Sequence, residues 1–264
     1  MALMYFHLNN FFYFLFENRV WPRRLYSFSH SVIIGFLISF FNRKDLQKID
    51  ELRYNQSKKY FTDEHNRKIF NWEEEVVEKC FSEVRTILII AVGGGREAYY
   101  LHKMGYEVHP YEYNQNLREY GNLFFKNEGM PISILPVKPD AFPESDRLYD
   151  AVIIGWGAYN HIRGTEKRVK LLKDGLALLN PNGRILVSYW PYRFCRLNLE
   201  RVYRIGNKMS QLFKKEKVEH GDIIFREFGH YFPQGTADKE VAEAGFKIVY
   251  STDKEYGVVV GEKA

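Results

Sequence analysis

Cysteine is scarce in this chain, with only Cys80 and Cys195 among 264 residues. Two thiols so far apart in sequence form no disulfide framework, and their rarity favours a reducing, cytoplasmic setting. Metal-binding patterns are missing too: no CxxC, HExxH or EF-hand spacing occurs, so no metal is expected. There is no internal repeat and no low-complexity tract. The net charge of +5 is too modest to demand a nucleic-acid partner, and no RNA-reading module is recognisable. No small-residue cleavage site marks a secretory signal.

Charge is also absent from two stretches near the front. Residues 3–16 and 25–41 contain no Asp, Glu, Lys or Arg, while Arg19, Arg23 and Arg24 lie between them and Arg43 and Lys44 follow. As a helix, the second stretch would be about 25 Å long, short of the roughly 30 Å hydrocarbon core of a bilayer. Ser29, His30, Ser31 and Ser39 interrupt it, and both flanks are basic, which leaves no asymmetry to orient a span. Two readings remain for residues 1–44. They are helices that cover an acceptor pocket or form a homodimer contact, or they make a peripheral membrane contact, with aromatics at headgroup level and arginines toward anionic lipid.

What the chain does have is 45% hydrophobic residues, enough to fill the core of one large α/β domain plus an extension. The pattern predicts a helical extension and lid over residues 1–70 and a main domain over 71–264. Asn71-Trp72-Glu73-Glu74 reads as an N-cap followed three residues later by a capping-box glutamate, opening a helix to about Phe81. Strand and helix patterns then alternate: 86–92, 96–104, 106–111, 115–126, 132–137, 150–154, 166–179 and 183–189. Such alternation predicts a parallel sheet with helices on both faces. Between Cys195 and Phe213 an apolar stripe of helical period carries Arg201, Arg204 and Lys208 on its outer side, with Lys214, Lys215 and Lys217 beyond. Residues 222–232 read as an inserted strand and loop, and Thr236 as the cap of a further helix.

The densest signal is Ile87-Leu88-Ile89-Ile90-Ala91-Val92-Gly93-Gly94-Gly95-Arg96-Glu97, with Glu112 17 residues after Gly95. An apolar strand ends in three glycines and a helix begins at once. Glycines there let the backbone turn sharply and let a ligand approach the main chain. The next strand delivers the Glu112 carboxylate, able to accept from ribose hydroxyls. The junction therefore predicts a nucleoside-cofactor site. Gly93-x-Gly95-x-x-Ala98 also fits the dinucleotide fingerprint, which keeps an NAD(P)-dependent oxidoreductase as an alternative.

From Ile87 onward the sequence resembles the class I S-adenosylmethionine-dependent methyltransferases. The resemblance rests on the glycine junction, on Gly105-Tyr106-Glu107-Val108-His109-Pro110-Tyr111-Glu112, on Asp140-Ala141, and on Tyr149 to Ile154 with the loop Gly155 to Ile162. It extends through Leu171-Leu172 and Leu178-Leu179-Asn180-Pro181-Asn182-Gly183-Arg184-Ile185-Leu186-Val187-Ser188 to a closing pair at 243–249 and 256–260. It implies a Rossmann-like, doubly wound seven-stranded sheet with an antiparallel last strand pair, and S-adenosyl-L-methionine as cofactor. Ala91, Gly93, Gly94, Gly95, Glu97, Glu112, Asp140, Ala141 and Trp156 are then the cofactor-binding residues, with Asp140 toward the adenine. Ala91 stands where many members have the first glycine, and Ile89 where many have an acidic residue; a relative that has lost its cofactor is the third reading. Tyr54 to Phe61 is a candidate lid, with helix packing as the other reading of its tyrosines.

The implied reaction is methyl transfer to a small-molecule, glycan or lipid-linked acceptor. Gly155-Trp156-Gly157-Ala158-Tyr159 lacks the acidic residue or asparagine followed by Pro-Pro-aromatic that base-amine methyltransferases carry, which speaks against a nucleic-acid acceptor. Candidate catalytic residues beyond the strand ends are His161, histidine being the residue type suited to base work near neutrality, His230 and Tyr159.

Overall fold

A computed structural model describes residues 23–225 and 227–264. It begins with helices α1 (Arg23–Ile38) and α2 (Arg43–Gln56), followed by the single turn α3 (Asp63–Asn66) and by α4 (Asn71–Cys80). Strands and helices then alternate as β1 (Thr86–Ile90), α5 (Arg96–Lys103), β2 (Glu107–Glu112), α6 (Gln115–Asn127) and β3 (Leu135–Pro136). The alternation continues with β4 (Tyr149–Ile154), α7 (Thr165–Ala177) and β5 (Leu179–Pro191). Helix α8 (Leu199–Leu212), hairpin β6 (Asp222–Ile224) and β7 (Phe228–Phe232), helix α9 (Thr236–Glu243), and strands β8 (Phe246–Thr252) and β9 (Gly257–Lys263) complete the chain. The charge-free stretch 3–16 lies outside the described residues.

Two compact units share these elements: the described residues up to 56 with 190–234, and residues 57–189 with 235–264. The sequence pattern draws its boundary at 70/71 and keeps 190–234 in the main domain; the structure divides the chain differently. Residues 57–70 group with the large sheet, where the Tyr60 carbonyl and Asn66 lie against Gly94. Residues 190–234 leave it because their apolar positions Leu199, Val202, Ile223, Ile224 and Phe228 share one core with Ile34, Ile38, Leu46 and Ile49.

In the larger unit, β1 is central and pairs in parallel with β2 and β4; β2 pairs in parallel with β3, and β4 with β5. β9 then lies antiparallel to both β5 and β8. This is the seven-stranded, doubly wound sheet with an antiparallel last pair that the resemblance implies. β1 reads Thr-Ile-Leu-Ile-Ile with four buried residues, because helices cover both faces and leave no polar side to the strand. Ile87 and Ile89 share one core with Val76, Val77, Tyr99, Phe124 and Phe125, from helices α4, α5 and α6. The expected third strand, 132–137, shrinks to two paired residues at the sheet edge.

Helix starts differ slightly from the sequence pattern. Asn71 is already inside α4, and Glu73 rather than Glu74 reaches back to accept from the Phe70 N–H at 2.9 Å. Likewise Thr236 is inside α9, whose cap is Gly235 in a left-handed conformation.

In the smaller unit, α1 packs on α8, and Gly35 makes the crossing close: a Cβ there would lie 2.9 Å from both the Val202 carbonyl and the Ile205 Cβ. β6 and β7 form an antiparallel hairpin that pairs with Trp190 and Pro191. No described helix is long and apolar enough to cross a membrane.

Candidate active site

The larger unit presents the carboxyl ends of β1, β2 and β4 where neighbouring strands leave β1 in opposite directions, the crevice in which open α/β sheets bind ligands. The chain turns there in an unusual way. Ala91 has φ 57°, Gly93 60° and Gly95 102°. Only glycine takes such angles freely, so Ala91 carries backbone strain of about 1 kcal/mol. Gly95 is required twice over, since a Cβ would also meet the Phe125 ring at 2.5 Å. Gly94 is needed for close approach, with the Tyr60 carbonyl 2.7 Å from where its Cβ would be. Around the corresponding position of Gly93 there is open space within 4 Å.

Glu112 ends β2 and is buried. Its Oε2 accepts from the Gly93 N–H at 2.8 Å and its Oε1 from the Asn114 N–H at 2.8 Å. Burial pushes the carboxyl up, while the N–H groups of Asn114, Gly93 and Tyr113 oppose that shift. A carboxylate has about four acceptor positions, so three backbone donors leave it capacity for a hydroxyl. One side chain thus ties the second strand to the glycine turn.

Helix α5 starts with Arg96, a cation at the helix end that disfavours one. Its buried guanidinium is neutralised in place. It forms a two-pronged pair with Glu73, one contact at 2.6 Å, and lies 3.0 Å from Glu97. The Phe70 ring lies 4.4 Å from it. Glu97 in turn accepts from the Trp156 backbone N–H at 2.9 Å, which fastens the loop after β4 to the start of α5. Glu97 is therefore a brace as well as a candidate ligand. Trp156 lines a pocket of about 30 Å³ with Trp72, Glu73, Glu97 and Ser188 among others, and its buried indole N–H has no partner. The space is water-sized.

Residues 57–66 lie against this turn. Asn66 donates to the carbonyls of Tyr60 and Thr62, and Tyr120 donates to Asp63 at 2.7 Å. The Lys59 ammonium sits 5.3 Å from the Trp156 ring without a carboxylate partner, and burial followed by the nearby Arg96 lowers its pKa. His65 is held down to about 4, chiefly by burial and then by Lys59 and Arg96, so it is neutral at physiological pH.

The other sequence candidates are more scattered. Asp140 is exposed in a turn at φ 53°, and Ala141 is half-buried beside it. His161 ends a short turn after β4 and is half-buried. Tyr159 is fully buried, and its hydroxyl donates to Glu240 at 2.6 Å; Glu240 also pairs with the buried Arg168 at 2.7 Å. That hydrogen bond braces the loop after β4 against α9. His230 belongs to the smaller unit, where Asp222 holds its Nδ1 at 2.7 Å. Lys59, His65, Glu73 and Arg96 were not singled out from sequence. The one available signal was an arginine directly after the glycines, where the helix dipole demands a carboxylate nearby.

No family model and no curated protein matches the sequence. The fold matches many solved structures. A S-adenosylmethionine-dependent methyltransferase from Methanosarcina mazei is 15% identical, with a TM-score of 0.57 over 74% of this chain and 98% of that one. The CcbJ methyltransferase from Streptomyces caelestis is 15% identical, with a TM-score of 0.55 over 73% and 88%. The sugar N-methyltransferase KedS8 from Streptoalloteichus sp ATCC 53650 is 14% identical, with a TM-score of 0.54 over 81% and 92%. The fold of this chain is that of the class I S-adenosylmethionine-dependent methyltransferases.

Proposed function

We propose that this chain is an S-adenosylmethionine-dependent methyltransferase acting on a small-molecule, glycan or lipid-linked acceptor. The observation that carries the reading is the Glu112 carboxylate, bound to the glycine turn at the strand ends of a sheet with the class I order. An adenosyl amino acid suits the groups present. Gly93 leaves room beside the backbone, Glu112 keeps an acceptor for a ribose hydroxyl, the Trp156 indole N–H is unpaired, and Lys59 is a cation without a carboxylate. Asp140 and Ala141 are assigned to the adenine end, as the resemblance implies. The oxidoreductase reading is weaker, because dinucleotide-binding sheets continue in parallel beyond the fifth strand, whereas β9 here runs antiparallel.

The bound cofactor would supply a methyl group already activated by its sulfonium. The chain's share is to hold, align and exclude water, and alignment alone can lower a barrier by up to about 7–11 kcal/mol. The brace from Glu97 to the Trp156 backbone fixes the loop that faces the acceptor. His161 is the residue we assign to take a proton from a hydroxyl or ammonium acceptor, which typically adds about 10²–10⁴-fold. KedS8 is described as a sugar N-methyltransferase, and that likeness supports a small acceptor for this chain.

Calorimetric titration of the full chain tests the reading. S-adenosylhomocysteine is expected to bind at micromolar strength and NAD not at all, and Glu112→Ala should weaken the first. Binding of NAD alone would replace the proposal with the oxidoreductase. A folded chain that binds neither ligand would make it a methyltransferase-like protein without cofactor. A radiolabelled methyl-transfer screen of extract fractions would then separate lipid, glycan and protein acceptors.

A further inference from the structure

Helix α1 is apolar on both faces. It buries Ile34 and Ile38 together with His30 and Ser31, while the exposed side carries Phe28 (53% exposed), Ile33 (37%) and Phe36 (45%). The outer face of a surface helix of a water-soluble domain is normally polar. Nothing charged lies between Leu25 and Phe41 to break this apolar surface. It continues onto the end of α8 through ring contacts from Phe36 to Phe40 at 5.1 Å and from Phe40 to Phe213 at 4.9 Å. Leu212 and Phe213 are 68% and 46% exposed. Contiguous apolar surface of this kind marks an interaction site.

Cations border it. Arg201 lies 4.3 Å from the ring of Phe28, and Lys208 and Leu212 follow on the same face of α8 at helical spacing. Lys214 and Lys215 come directly after Phe213. None of these four cations has a carboxylate partner among the described residues. By contrast, Arg204 on the neighbouring face is paired with Glu200. Apolar rings bordered by unpaired cations complement a surface with an apolar interior and an anionic boundary. At 16 residues, α1 extends about 24 Å, too short to span a bilayer but long enough to lie along one.

We infer that the exposed face of α1, with Leu212 and Phe213, docks this protein on anionic phospholipid membranes, with its aromatics among the upper acyl chains and Arg201, Lys208, Lys214 and Lys215 on the headgroups. This goes beyond the methyltransferase reading and does not rest on it. The membrane is the occupant favoured over a second copy of the chain because a self-complementary interface would set these four unpaired cations against their own kind across a two-fold axis.

Flotation of the full chain with vesicles tests the inference. Vesicles containing phosphatidylglycerol are expected to carry the protein, and phosphatidylcholine alone to carry far less. Replacing Phe36, Leu212 and Phe213 together by glutamate should abolish flotation, with far-ultraviolet circular dichroism and the thermal midpoint unchanged because all three side chains are exposed. Reversing Arg201, Lys208, Lys214 and Lys215 to glutamate should weaken binding roughly a hundredfold or more, at about fivefold per basic residue. Absence of flotation with anionic vesicles overturns the inference, as does flotation that survives the triple replacement. A dimer that the triple replacement dissociates, without vesicle binding by the parent protein, would assign the face to a second copy.

Discussion

The strand ends of the larger unit and helix α1 of the smaller one handle polarity in opposite ways. In the larger one, charged groups at the strand ends are drawn inward and matched: Arg96 with Glu73 and Glu97, Arg168 with Glu240, and Glu112 with three backbone N–H groups. In the smaller one, α1 buries Ser31 and His30 beside its isoleucines, leaves Phe28 and Phe36 outside, and the cations beside them stay unmatched. A buried ion pair adds little net stability over an apolar replacement, but it fixes geometry, and breaking one partner is costly. An exposed apolar helix face adds nothing to the stability of the free chain. The first pattern suits a site that holds a ligand in register, and the second suits a surface that meets something else.

The comparison can be broken most forcefully at Glu73. Glu73→Ala leaves the Arg96 guanidinium buried and unpaired, and should cost about 3–5 kcal/mol in urea denaturation followed at the larger unit. Joint replacement of Glu73 and Arg96 by methionine should recover most of that loss; no recovery would mean that packing, not charge, was removed. On the inner side of α1, Ile34→Ala should cost about 2–5 kcal/mol, since Ile34 is fully buried.

A third test uses acid. Burial lowers His30 from 6.5 to about 4. A base whose folded pKa is depressed contributes its full stability above pH 6.5, where it is neutral in both states, and loses it as pH falls toward about 4. The loss should reach at most about 3 kcal/mol. Midpoints measured across that window should fall for the parent protein and fall less for His30→Gln. Smaller still, Ala91→Gly should raise stability by about 1 kcal/mol if relief of the left-handed strain outweighs the added freedom of the unfolded chain. The smallest effect is expected on the outer side of α1, where Phe36→Ser should change stability by less than about 0.5 kcal/mol. An effect of Phe36→Ser equal to that of Ile34→Ala would erase the distinction between the two faces.

Much of the larger unit is legible in the sequence. The apolar strand 86–90 and the glycines after it are local signals, and so is Glu112 at the end of the next strand. The closing antiparallel pair was legible through the family resemblance, which its two apolar runs carry. Thr236 and Asn71 were each misplaced by one position, an error that local patterns permit because a cap depends on backbone angles. The third strand, at the sheet edge, is confined to Leu135 and Pro136, which pair with Tyr111 and Glu112 of β2.

Tyr159 shows the other limit. Its place after β4 made it a candidate for chemistry, and only Glu240, 81 positions further on, reveals that its hydroxyl is already committed. The brace from Glu97 to Trp156 spans 59 positions and the Glu73–Arg96 pair 23. Such pairings carry no periodic trace, since one charge can find its partner anywhere the fold brings it. The succession of strands and helices along the chain, the glycine turn and the charge-free front were therefore decided by the sequence alone, through backbone sterics and hydrophobic period acting over a few residues. Which charges are buried together, which helix face meets water, and how residues 57–70 and 190–234 are divided between the units were decided by tertiary packing, because each depends on groups that are distant in the chain and adjacent in space.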